Sequence, residues 1–262
     1  VRLVSSRLLL SILTFALAFP IGCATVQKTG NYADDARREY EVAMEAFDDE
    51  DCITAEPLFR SIRSNYPYTR YAALSELREA DCLVIQDKQA EAIEIYQRFA
   101  RVRASHEEVP YARFKAAEAQ FAQIPEDWIL SPPSHERDLR AARDALRDLR
   151  RFLLDFPADE RAAKAAKMER EALQLLAKHE LYVAGFYLDR EYPEAAVVRL
   201  NALLASYEGS GFEPQALLLM GRTQLMLKDR TSAHATFREL IARYPKTGSA
   251  VQAERFLAET GG

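Results

Sequence analysis

Apolar side chains recur at offsets of 0, +4, +7 and +11 in three stretches of the chain, each closed by proline. They are Ala55, Phe59, Ile62, Tyr66 and Pro67; Ala145, Leu149, Phe152, Phe156 and Pro157; and Ala233, Phe237, Leu240, Tyr244 and Pro245. These offsets fall on one face of a 3.6-residue helix, and the small leading alanine allows a partner helix to approach closely. Proline then stops the helix or opens the next segment. Two partial copies lie between: Ala92, Tyr96 and Phe99 without the aromatic or the proline, and Ala196, Leu200, Leu203 and Tyr207 without the proline. The repeating unit is close to the familiar 34-residue helix-turn-helix length, with two enlarged spacings.

A second stripe precedes most of these helices. Tyr40, Ala43 and Phe47 serve the first unit, Leu74, Leu77 and Ala80 the second, Phe114, Ala117 and Phe121 the third, and Leu217, Met220, Gln224 and Leu227 the fifth. The short polar turns Asp48-Asp49-Glu50-Asp51 and Lys228-Asp229-Arg230 suit antiparallel hairpins. The pattern predicts an all-α fold, a right-handed α-solenoid of about five hairpins. Its units fall at 32–69, 70–107, 108–158, 159–209 and 210–246, with a capping helix at 247–259. One enlarged spacing comes from Ile124 to His135, which carries three prolines and Trp128. The other runs from Asp159 to Leu188 without proline, and predicts a single helix of about 45 Å that projects beyond its neighbours. A break near Leu175 or Gly185 is the competing arrangement.

Residues 1–22 stand apart from this body. Arg2 and Arg7 precede the apolar run Leu8 to Phe19, in the layout of an export signal and too short for an ordinary spanning helix. Gly22-Cys23 resembles the lipobox of bacterial lipoproteins, so Cys23 is the expected lipidation site and residues 23–31 the tether. Removing the leader deletes two arginines and leaves 33 basic against 40 acidic residues. That acidic excess argues against nucleic acid as a partner. Export also admits disulfides. Cys52 opens a second helix and Cys82 lies late in the next first helix; antiparallel packing about Tyr68 sets residue 52 at the level of residue 84. A Cys52–Cys82 bridge and a pair of buried thiols both fit this placement.

Motifs for catalysis are missing. His106, His135, His179 and His234 are scattered, and the HELYV segment at His179 lacks the second histidine of a zinc helix. There is no glycine-rich phosphate loop, no metal-ligand spacing and no cofactor motif. Ser134-His135-Glu136 is contiguous, whereas a catalytic triad converges from separate places. The remaining carboxylates read as solvated helix surface. Arg137, Arg140, Arg143, Arg147, Arg150 and Arg151 interleave with Glu136, Asp138, Asp144 and Asp148, which reads as a salt-laced face, with docking on an acidic partner surface or on lipid headgroups as the alternative. Tyrosine is abundant; Tyr68 and Tyr71, beside an inter-repeat turn, are the candidates for exposed contact.

The lipobox-like start, the five repeats and the segments NYPYTRYA, FLLDFP and LAKHELYVAGFYLDREYPEAAVVRL together resemble the BamD family, tetratricopeptide-repeat lipoproteins of the β-barrel assembly machinery. The resemblance covers essentially the whole chain after the leader. It implies a non-enzymatic scaffold, lipid-anchored on the periplasmic face of a Gram-negative outer membrane. Its implied partners are a BamA-like barrel component, other subunits of that machinery and unfolded outer-membrane proteins. Arg199 in VVRL matches a family arginine that contacts the barrel component, with Phe186 and Tyr187 as neighbours on the preceding helix. Tyr68 and Tyr71 in NYPYTRYA are then the substrate-groove candidates. The chain departs from the family pattern at Pro20, after Tyr207 and in the Trp128 insertion. Other exported scaffolds with such repeats, and an envelope hydrolase lacking any visible site, are the rival function classes.

Overall fold

The computed structural model describes residues 30–125 and 132–261. Cys23 with the leader, and Trp128, lie outside the described residues. Among those residues every long element is helical: α1 (Tyr32–Asp48), α2 (Cys52–Asn65), α3 (Arg70–Ile85), α4 (Gln89–Val102), α5 (Val109–Ala122), α6 (Arg140–Asp155), α7 (Ala162–Leu188), α8 (Pro193–Ser206), α9 (Glu213–Met226), α10 (Arg230–Arg243) and α11 (Gly248–Thr260). A one-turn 3-10 helix at Ser134–Glu136 precedes α6. Each helix packs on the next, and α1 also reaches α3, α5 reaches α7 and α9 reaches α11. The result is a TPR-like α-solenoid of five hairpins, with α11 as its terminal helix.

The repeating stripe is the core of that stack. In every copy the residues at offsets 0, +4 and +7 are at most 1% exposed, from Ala55, Phe59 and Ile62 through to Ala233, Phe237 and Leu240. The residue at +11 ends the helix. Tyr66, Arg103, Phe156, Tyr207 and Tyr244 all leave helical geometry with φ between −115 and −134°, while each N–H still donates to the carbonyl of the +7 residue. Arg103 shows that the backbone cap forms without the aromatic ring. After the proline, Thr69 and Thr247 each cap the following helix by accepting from Ala72 N and Ala250 N.

Four of the five hairpins turn in the same way. Glu50, Asp87, Glu191 and Lys228 have φ of 59, 59, 63 and 62°, in the left-handed region. The next N–H returns to the carbonyl five residues back, from Asp51 to Ala46, Lys88 to Leu83, Tyr192 to Tyr187 and Asp229 to Gln224. These are Schellman closures built on residues other than glycine, which strains the backbone. Lys228→Gly is therefore expected to stabilise the fold by about 0.5–1 kcal/mol, seen as a melting midpoint about 2 °C higher.

Helix α7 is continuous over 27 residues, without a break at Leu175 or Gly185. It does not project freely. Its buried residues run from Ala165 to Ala184. Ala165 and Met168 pack with Leu149 and Phe152 of α6, whereas Ala177 and Ala184 pack with Ala196 and Leu200 of α8. The extra length thus splices two hairpins together, because each half carries its own apolar stripe. The last hairpin has a tighter approach: a Cβ added to Gly221 would lie 2.3 Å from Cε1 of Phe237. Gly221→Ala, which normally favours a helix, should here destabilise by about 1–3 kcal/mol in a urea titration.

Candidate partner-binding surfaces

At the first inter-repeat turn, Pro67 and the Thr69 cap fix a short segment from which Tyr68 projects, 94% exposed. Tyr71 is directed differently. It sits half-buried in the first turn of α3, with its ring 5.5 Å from that of Tyr40 and the Arg70 guanidinium 5.7 Å from its centroid. Tyr68 offers contact area, while much of Tyr71 is committed to the first core. Tyr66 and Tyr96 are internal, and their hydroxyls donate to Glu39 at 2.6 Å and to Asp81.

The carboxylates of α3 depart from the expected solvated face. Glu76, Glu79 and Asp81 are buried, because α1, α2 and α4 enclose that helix. Arginines reach in to neutralise them. Arg103, Arg98 and Arg63 lie 2.6, 3.2 and 3.9 Å from Glu76, and Arg63 also pairs with Glu79. Asp81 pairs with Arg78 at 2.5 Å and accepts from Tyr96 and, at 2.7 Å, from Tyr111.

Burial pushes Tyr66 up to about 12, aided by its carboxylate neighbour Glu39. Tyr96 and Tyr111 are raised by burial and by Asp81. A raised phenol favours the protonated folded state, so its contribution holds below the ordinary value near 10 and is lost as pH climbs through the folded value. Stability should be level to about pH 10 and fall above it, with tyrosinate absorbance rising together with loss of helicity.

Cys52 and Cys82 are joined as a disulfide, with Cα atoms 5.3 Å apart, tying the start of α2 to the end of α3. The loop it closes spans 30 residues. A Cys52→Ser/Cys82→Ser variant is expected to lose about 3–4 kcal/mol in denaturant, and reduction of the native chain should have a similar effect.

The second surface is built where α7 and α8 run side by side. Glu180 is buried on α7 and its Oε2 makes no hydrogen bond; Arg199 of α8 stands 3.7 Å from it with its own side chain 41% exposed. The pair is within ion-pair distance but longer than a direct hydrogen bond, so the guanidinium retains donors for an external acceptor. Tyr187 is two turns on from Glu180, on about the same face, and packs into the α7–α8 core. Phe186 is rotated by about 100° from it and 40% exposed, with the Arg190 guanidinium 3.6 Å above its ring. The structure therefore brings Arg199 and Tyr187 to one seam and turns Phe186 away. The VVRL pattern singles out Arg199, but Glu180 is 19 positions away and carries no sequence mark beyond its helical face.

The histidines serve packing. His179 Nδ1 lies 2.6 Å from the carbonyl of His135, whose ring meets Tyr182 edge-on at 5.3 Å, and together they dock the 3-10 turn on α7. His234 Nε2 reaches Thr260 at 2.8 Å and fastens α11 to α10. In Ser134-His135-Glu136 the His135 and Glu136 side chains are 3.9 Å apart. No group of three metal-ligating side chains occurs among the described residues, and no described helix is long and apolar enough to cross a membrane. Much of the arginine stretch is paired: Arg147 with Asp144 and Asp148, Arg150 with Glu169, and Arg151 with Asp155.

The chain is similar to proteins named outer membrane protein assembly factor BamD. That of Xylella fastidiosa strain 9a5c is 28% identical over 183 residues, covering 68% of this chain and 62% of that protein. That of Neisseria meningitidis strain Z2491 is 24% identical over 244 residues, covering 90% of this chain and 91% of that protein. The Vibrio cholerae protein is 26% identical over 171 residues, covering 64% of this chain and 70% of its own length. The YfiO family model, described as outer membrane lipoprotein, matches residues 32–234, from the start of α1 into α10. With its all-helical stack of hairpins and a match over most of its length, the chain belongs to the YfiO family of outer membrane lipoproteins.

Proposed function

We propose that this chain is a non-enzymatic scaffold that holds other proteins during assembly of outer-membrane β-barrels. A BamA-like barrel component docks on the α7–α8 seam at Arg199, with Tyr187 behind it and Phe186 at the side. Unfolded outer-membrane proteins are received near Tyr68 and Tyr71. Residues 1–22 are removed, Cys23 is acylated and residues 23–31 tether the stack to the membrane; two or more acyl chains give stable anchoring. The observation that carries this reading is the family match over nearly the whole stack of helices. The relatives in Xylella fastidiosa and Neisseria meningitidis are named as outer membrane protein assembly factors.

The seam supports a docking role because Arg199 is half-exposed beside a buried carboxylate that it satisfies only at 3.7 Å. Arg199→Glu would set a second carboxylate against Glu180, so Arg199→Gln is the cleaner variant. It should weaken binding to the periplasmic domains of the barrel component about tenfold, with unchanged helicity. Equal affinity in the folded variant would remove Arg199 from the interface. For the anchor, Cys23→Ser should abolish incorporation of labelled palmitate; continued labelling would place the lipid elsewhere.

A further inference from the structure

A groove of about 1100 Å³ opens between α4 and α8, and neither Tyr68 nor Arg199 lines it. Its walls carry six arginines, Arg101, Arg113, Arg143, Arg147, Arg150 and Arg151, and a single carboxylate, Asp148. In a chain of formal charge −5 this is a local reversal of sign. Four of the arginines are spent on neighbours: Arg113 and Arg151 share Asp155, Arg147 takes Asp144 and Asp148, and Arg150 takes Glu169. Arg101 on α4 and Arg143 on α6 have no carboxylate partner among the described residues, and they come from the two helices that pack on either side of α5 in chain order. The floor is apolar. Leu146 and Leu176 are buried beneath it, and Leu154 stands at the rim, 74% exposed.

We infer that this groove binds an extended polypeptide segment in which acidic and apolar side chains are interleaved, the carboxylates bridging Arg101 and Arg143 and the apolar groups lying toward Leu146, Leu176 and Leu154. A guanidinium fork matches a carboxylate in two parallel hydrogen bonds, and a solenoid groove lined by several helices suits an extended chain. A flat bilayer surface cannot reach a recessed apolar floor, and an acidic chain with two unpaired arginines lacks the basic surface that nucleic acid requires. The inference uses none of the residues assigned to the barrel component or to the Tyr68 surface, so it stands or falls independently of the assembly role.

The test uses the full lipoprotein in phosphatidylcholine nanodiscs and a fluorescein-labelled decapeptide of alternating glutamate and leucine, with amidated C-terminus, read by fluorescence anisotropy. The expected result is saturable binding that weakens with salt. Arg101→Glu/Arg143→Glu should reduce affinity at least tenfold, Arg101→Lys/Arg143→Lys should retain part of it, and a lysine-for-glutamate peptide should not bind. Should the double reversal unfold, Arg101→Gln alone decides, with a loss of about threefold expected. Absence of binding to the native chain, unchanged affinity in the folded variants, or displacement of the peptide by phosphatidylglycerol vesicles would each overturn the inference.

Discussion

Asp81→Ala is expected to lower stability by about 3–5 kcal/mol, read as a shift of the urea midpoint, because it removes the one acceptor around which a buried polar cluster is organised. Asp81 is 6% exposed and receives the hydroxyls of Tyr96 and Tyr111 while neutralising Arg78. With alanine there, Arg78 remains enclosed as a charge between α3 and α5, still bonded to Tyr111 at 3.1 Å but without its carboxylate. Asp81→Asn, which keeps the shape and one acceptor oxygen, should cost less. The half-exposed Asp144, paired with Arg147 at 2.7 Å, is the control, and its replacement by alanine should change stability by less than about 1 kcal/mol. Equal effects at the two aspartates would mean that the α3 cluster is solvated rather than enclosed.

The second large effect belongs to Phe237→Ala, expected to cost about 3–5 kcal/mol from lost burial and the cavity left behind. Phe237 is fully buried at the +4 position of the last repeat, stacked on Phe256 of α11 with ring centroids 5.4 Å apart. It also fills the space that a side chain at residue 221 would need. The two sites are therefore coupled. Gly221→Ala, harmful alone, should be nearly neutral on the Phe237→Ala background, a departure from additivity of about 1–3 kcal/mol in a double-mutant cycle. Additive losses would separate the two residues.

The repeat was legible because its stripe is set by short-range periodicity, which reports on one helix face at a time. Phe59, Phe152 and Phe237 were readable as core, whereas the +11 residue, placed by periodicity on the same helix face, caps the helix instead. What a second or third neighbour does to a face was not readable. Glu76, Glu79 and Asp81 look like surface residues in sequence, and are buried only because α1, α2 and α4 close over α3, with arginines reaching Glu76 and Glu79 from 13 to 27 positions away and Arg78 pairing Asp81 from three positions before it. The same limit hid the path of α7: the absence of proline shows that a long helix can persist, but not that its two halves pack on α6 and α8 in turn. It also hid the partner of Arg199, whose offset between Ala196 and Leu203 fits an internal contact and an external one equally, and the inward turn of Tyr71 against Tyr40. The groove between α4 and α8 draws its walls from separate repeats, so the arginine stretch of α6 disclosed only one side of it.

The scaffold role is tested most directly by isolating the tagged, full-length lipoprotein from gently solubilised envelopes and identifying what remains bound. A large outer-membrane barrel protein with periplasmic domains is expected, retained by the native chain and depleted with Arg199→Gln. Recovery of other envelope complexes under the same conditions without any such barrel protein would contradict it.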